Sequence, residues 1–378
     1  VSRVPTPRTG YCDGVSIANP AGPTTVGHPP TDAARSVPPL PGPRGPVSEV
    51  LTTALRHRPG DRDAAVRSLG DTTARHADDT DPFGDDLHLA LQVCYELHYR
   101  GFTGVDPAWE WDPELLRSRG RLERRFLDGL RAEIPGGQGR EAVDAALDEL
   151  LVEPVHGTGL THRLADDGAW WQLREYLVHR SIYHLKEADP HAWVIPRLRG
   201  QAKAALVAVE FDEFGGGRYE RMHSRLYADL LEAAGLRAGY LHYAEHVPAP
   251  SFATVNLMSL FGLHRGLRGA LVGHFAAAEI STAPGARRMV TALDRHGAPE
   301  ACRLFFTEHI EADAVHEQVM RHEVIGDLLD HEPGLAADVL FGIRATELTE
   351  THLAEHVLGR WDAGASSLRE PLGAAPGT

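Results

Sequence analysis

The sequence predicts an all-α protein, and three observations carry that reading. From about residue 84 onward apolar residues recur three and four apart, the spacing that puts them on one face of a helix. Alternating runs of Val, Ile and Thr, the mark of strands, are almost missing. The periodic segments are separated by Pro190, the triple glycine 215–217, Gly235 and Pro284, each expected to break a helix. LHLALQVCYELHYRGF, PELLRSRGRLERRFLDGLRAEI and REAVDAALDELLVE form a first helical block over 84–165. A second block over 166–362 begins at WWQLREYLVHRSIYHLKEADP and ends with ADVLFGIRATELTETHLAEHVLG. The triple glycine follows no strand and precedes no Gly-Lys-Ser/Thr, so it reads as a helix–helix turn and not a phosphate loop.

Residues 1–48 differ in kind. They are rich in Pro, Gly, Ser and Thr, lack apolar periodicity, and predict a disordered tail. Among the 38 basic residues only Lys186 and Lys203 are lysines, a high-GC coding bias in which Val1 reads as a GTG start. The formal charge of −15 excludes a nucleic-acid binder, because phosphate neutralisation needs a basic surface. Cys12, Cys94 and Cys302 are odd in number and far apart, which indicates neither a disulfide framework nor a zinc ribbon. No apolar run reaches the roughly 18 residues of a membrane span, and VSRVPTPRTGY has no signal-peptide core. The expectation is a soluble, cytoplasmic protein with no membrane partner.

Chemistry-bearing residues sit on the apolar stripes of the second block. In YERMHSRLYADLL the residues Tyr219, Met222, Leu226, Leu230 and Leu231 define a stripe that contains His223, with Glu220 one turn earlier. A Glu-x-x-His pair on one helix face supplies a carboxylate and an imidazole to a transition metal. In TEHIEADAVHEQVM, His309, Asp313 and His316 fall within roughly 60° of arc at about 100° per residue. Glu279 stands on the apolar face of GALVGHFAAAEIST, and Glu187 closes the helix that carries Tyr176 and Tyr183. A buried carboxylate without a cation is unfavourable. Glu187, Glu220 with His223, Glu279, and Asp313 with His316 together follow the ligand order of carboxylate-bridged dinuclear iron and manganese bundles. A mixed oxygen and nitrogen set without cysteine suits iron or manganese better than structural zinc.

His309 is an addition to that ligand order. KEADPHAWVIPRL, EFDEFGGGRYERMH, the lone Glu279 and the His-x-x-x-Asp-x-x-His helix together resemble the haem-oxygenase-like di-iron oxidases, also described as iron-containing redox enzymes, over about 170–360. The resemblance implies a seven-helix bundle with accessory helices at 84–165, and homodimers formed through them. It implies two Fe2+ ions, one held by Glu187, His223 and His316 and the other by Glu279, His309 and Asp313, with Glu220 bridging as the catalytic ligand. Glu210 and Glu213 are candidates for an extra carboxylate. The implied activity is O2-dependent oxygenation of a small amine or amino-acid-derived substrate to the hydroxylamine, nitroso or nitro level in natural-product biosynthesis, through a peroxo-diferric intermediate. An external electron donor, a reductase or a chemical reductant, restores the ferrous state. C–H abstraction with oxidative C–C cleavage is the alternative chemistry, and a non-catalytic metal-binding protein is a second alternative. Arg197, Arg199, Arg218 and Arg221 are candidate partners for a substrate carboxylate, and Trp170, Trp171 and Tyr227 for an aromatic wall. His184, His274 and His322 match no motif position.

Overall fold

Asp86 holds the first helix among the described residues in place. The computed structural model describes residues 37–58, 63–152 and 157–373, except for the side chains of 63–67 and 311–314. Helix α1 (Pro46–Leu55) opens on a proline, which has no amide hydrogen to satisfy, and the Asp86 carboxylate accepts from the amides of Val47 at 2.9 Å and Ser48 at 2.7 Å. Val47, Leu51, Ala54 and Leu55 are buried. Residues 46–48 of the tail expected to be disordered therefore belong to a helix; residues 1–36, with Cys12, lie outside the described residues. The Pro-rich composition masked an N-terminal helix whose stabilising partner is distant in sequence.

Among the described residues every regular element is helical. Helix α2 (Asp63–His76) follows α1 ahead of the first block, which comprises α3 (Asp85–Glu96), α4 (Pro113–Glu133), α5 (Arg140–Leu151) and α6 (Leu160–Asp166). The second comprises α7 (Trp170–His184), α8 (Asp189–Ala192), α9 (Gly200–Glu213), α10 (His223–Ala233), α11 (Ala249–Leu263), α12 (Arg268–Arg295), α13 (Glu300–Gln318), α14 (Asp327–His331) and α15 (Ala336–Asp362). A π-helical stretch, Val319–Gly326, extends α13. The apolar residues of both blocks join in one core, so the first block is built into the bundle. No helix among the described residues is long and apolar enough to cross a membrane.

Helix α12 is the hub, packed against α13, α15, α6, α5 and α11. Its crossing with α15 is close because two glycines face opposite backbones. A Cβ on Gly273 would collide with the Val339 carbonyl, and one on Gly342 with the Ala270 carbonyl. The break expected at Pro284 does not occur, for α12 runs through it to Arg295. Proline removes one helical amide, but the neighbours packed along α12 hold its path. Gly235 does end a helix. It has φ +71°, and the Leu236 amide reaches back to the Leu231 carbonyl at 2.8 Å, a closure that needs a left-handed residue.

Candidate metal centre

Five segments converge on one buried group of ligand atoms. Glu187 lies in the turn between α7 and α8, Glu213 ends α9, His223 begins α10, Glu279 is midway along α12, and His309 and His316 are two turns apart on α13. Each of the six side chains is buried. Glu187, Glu213, His223 and His309 can each offer an atom to a common cluster in which all such atoms lie within 4.8 Å of one another, and Glu213, Glu279 and His316 form a second. Glu213 belongs to both.

The turn that joins α9 to α10 makes this possible. Gly215, Gly216 and Gly217 have φ of +70°, +61° and +77°, a left-handed run that side chains with a Cβ resist. It folds the chain so sharply that Glu213 Oε2 comes within 2.7 Å of His223 Nδ1. That contact is short without the alignment of a hydrogen bond, and Nδ1 has no hydrogen-bond partner among the described residues. Glu187 Oε2 is buried and equally unpartnered, while Oε1 accepts from His184 at 2.9 Å and lies 3.8 Å from His309 Nε2. His309 Nδ1 donates to the Phe305 carbonyl at 2.7 Å, and its Nε2 faces the acidic cluster. His316 Nδ1 is 2.9 Å from Glu279 Oε2. A donor set of buried carboxylates and imidazoles with unsatisfied atoms at its centre fits bound iron or manganese.

The structure departs from the sequence expectations at specific places. Glu220 is exposed and lies outside both clusters, which removes it as the bridging ligand. Met222 has φ −57° and ψ 133°, so the helix begins only at His223 and the one-turn relationship between Glu220 and His223 does not exist. Tyr219 is exposed for the same reason. Glu213 is the carboxylate that both clusters share. The implied partition also changes, because His309 groups with Glu187 and His223, whereas His316 groups with Glu279. Asp313 lies on α13 between them, its side chain outside the described ones. Glu210 is buried one turn before Glu213, neither oxygen has a hydrogen-bond partner among the described residues, and it joins neither cluster.

Electrostatics follow from burial and crowding. Desolvation, then Glu213 and Glu279, push the Glu210 carboxyl up to about 9. Burial would raise Glu187, but His184 and His309 hold it well below the usual carboxylate range. Burial opposes charge on His316, yet the bond to Glu279 and the nearby Asp212 and Glu213 push it up to about 9.

A cavity of about 320 Å³ opens beside the cluster, with Glu187, Glu213, Glu279 and His309 in its wall. Tyr176, Arg180, His184, His191, His274 and Glu350 are among its other polar groups. His184 and His274, which match no motif position, thus face the site. A histidine one turn before Glu187, and another directly before the apolar stretch that leads to Glu279, were the available signals. Arg197 instead binds the carbonyls of Gly262 and Leu263, and Arg221 pairs with Glu308. Trp171 packs edge-on against Trp361 and Trp170 against His296, away from the cavity wall. Tyr227 is buried against His184 and Phe305, with its hydroxyl donating to the Leu177 carbonyl.

The chain is 27% identical over 241 residues to a nitrosourea synthase of Streptomyces achromogenes subsp. streptozoticus, a match that covers 60% of this chain and 49% of the relative. It therefore spans about half the length of that protein. Residues 174–350 match the iron-containing redox enzymes, and that segment contains Glu187, Glu213, His223, Glu279, His309, Asp313 and His316. Over those residues the chain is similar to the iron-containing redox enzyme family.

Proposed function

We propose that this protein is a non-haem di-iron oxygenase that uses O2 and external electrons to oxygenate the nitrogen of a small amine or amino-acid-derived substrate. The observation that carries the reading is Glu213, one buried carboxylate common to two separate groups of ligand atoms. Glu187, His223 and His309 would hold one iron and Glu279 and His316 the other, with Glu213 shared between them and Asp313, which lies between the two histidines in the sequence of α13, a further candidate. Bound ferrous iron supplies the electrons that activate dioxygen.

The chain's own residues supply the rest. His184 donates to Glu187 and fixes which oxygen of that carboxylate stays free, and the Phe305 carbonyl fixes the tautomer of His309. Phe305 packs against His184, Tyr227 and His309, and with Phe306 keeps water from one wall of the cavity. The family supports redox chemistry with iron, and the nitrosourea synthase resemblance favours nitrogen as the oxidised atom.

Anaerobic loading with ferrous iron, a metal count per chain, and oxygen uptake against a panel of amines and amino acids test the proposal. Two irons and amine-dependent uptake that yields an N–O bond are expected. One iron or none, with no uptake on any amine, would overturn it. Uptake that yields a cleaved C–C bond and no N–O bond would turn the reading to C–H abstraction.

A further inference from the structure

On the cavity wall, outside both ligand clusters, stand two buried histidines with open ring nitrogens. His191 and His274 are each 1% exposed, and their ring centroids are 5.2 Å apart. Neither nitrogen of His191 has a hydrogen-bond partner among the described residues, and neither does Nε2 of His274. His191 stacks on Phe275 at 4.2 Å, which fixes its plane. Three polar atoms left open this deep are expensive unless a ligand meets them.

The chain determines what His274 offers. Its Nδ1 lies 2.8 Å from Thr346 Oγ1, and the same hydroxyl lies 2.8 Å from the Gly342 carbonyl. A carbonyl can only accept, so the single hydroxyl hydrogen goes to Gly342 and Thr346 must accept from His274 Nδ1–H. Nε2 is then a bare acceptor. Burial pushes the His274 ring down to about 4 and His191 well below its ordinary value, so both stay uncharged at neutral pH. Two arginines stand in the same cavity wall: Arg180 is bound through both terminal nitrogens to Glu350 at 2.7 and 2.6 Å, and Arg288 donates through Nε to Thr161 at 2.9 Å.

We propose that His191 and His274 are substrate-positioning residues that bind the N–H groups of an amine or amidine, with His274 Nε2 as the acceptor. The assignment deepens the reading of this protein as an N-oxygenase and rests on it for the identity of the ligand as substrate. A carboxylate finds no donor at His274 and no free cation at Arg180. An amine or amidine nitrogen donates to Nε2, and His191 can accept a second N–H or donate to a neighbouring oxygen.

Equilibrium binding to anaerobic, iron-loaded protein tests this without turnover, with propylamine and propionamidine as probes and propionate as the control. Two variants separate the roles. His274→Asn keeps a donor for Thr346 and removes the acceptor at the Nε2 position, and His191→Phe keeps the stack on Phe275 and deletes both nitrogens. The expected result is that wild type binds the nitrogen probes in preference to propionate, and that each variant weakens them by about tenfold with iron content unchanged. Wild type that ignores both nitrogen probes, propionate bound as tightly, or variants that bind as wild type would each overturn the proposal. Because the assay consumes no oxygen, failure of N-oxygenation with the binding difference intact would leave the anchor standing with a different chemistry above it.

Discussion

Glu213 and His223 meet at 2.7 Å across a turn made of three consecutive left-handed glycines. Ten residues separate them in sequence, and no helical spacing relates them. If Glu213 is the shared ligand, Glu213→Ala removes an oxygen from both clusters at once, and the chain should retain at most one iron. Glu220→Ala, on the exposed side of the same turn, should retain both. Metal counted by mass spectrometry after desalting decides between them. Equal retention by the two variants would return the bridging role to an open question.

The glycines of that turn are not equivalent. A Cβ on Gly215 would lie 2.5 Å from the Met222 amide nitrogen and 2.6 Å from the Arg221 carbonyl carbon, both backbone atoms that cannot step aside. A Cβ on Gly216 meets only the Phe211 ring at 3.7 Å. Gly216→Ala should therefore cost about 1 kcal/mol, the penalty of a left-handed alanine alone. Gly215→Ala should cost about 2 kcal/mol or more, because strain and collision add. It should also weaken iron binding by displacing His223. Urea denaturation and iron titration of the two variants check the difference, and a Gly215→Ala protein with wild-type iron affinity would show that the turn does not position the histidine.

How much of this was legible in the sequence depends on whether a residue's role was local. The stripe on α13 placed His309 and His316 together because both belong to one regular helix, and both are buried on it. Glu220 misled because Met222 is extended and the helix starts one residue later. Glu213 was visible as an acidic residue near the apolar face of α9, but nothing local says that a glycine turn folds His223 back on it. Helix α11 gave no periodic signal at all, since nearly every residue from Ala249 to Gly262 is buried and a helix covered on all sides has no polar face to alternate with. Pro284 failed as a stop signal because packing against α12 overrides it, and His274 was passed over because its meaning lies in Thr346, seventy-two residues away.

Glu210 predicts a pH dependence in metal-free protein. Its carboxyl is pushed up to about 9 in the fold, against roughly 4.3 in an unfolded chain. Between those values the native state holds a proton that the unfolded state has released, so stability falls as pH rises through that window. Glu210→Gln mimics the protonated form at every pH and should flatten the decline. Chemical denaturation in the presence of a chelator at pH 5, 7 and 9 measures it. The variant should match wild type near pH 5 and exceed it at pH 8 and above, and a constant difference across the range would assign the effect to something other than the proton.

Lys186, next to Glu187, is the last test of how the bundle supports the site. Its ammonium is fully buried, 3.2 Å from Glu96 Oε2 on α3 and 4.1 Å from the centroid of Tyr99, while Tyr240 donates to the same glutamate oxygen at 2.9 Å. The pair ties the first helical block to the residue before a candidate ligand. Lys186→Met would strand the Glu96 charge, and such a loss costs about 3–5 kcal/mol. Adding Glu96→Gln removes that charge and should recover most of the stability, since an apolar or neutral replacement of a whole buried pair is often nearly neutral. The iron affinity separates the two functions of the pair. If the charge pair positions Glu187, the double variant should regain stability yet still bind iron more weakly than wild type; full recovery of both would mean that Lys186 supports the fold and leaves Glu187 to be placed by His184 and His309.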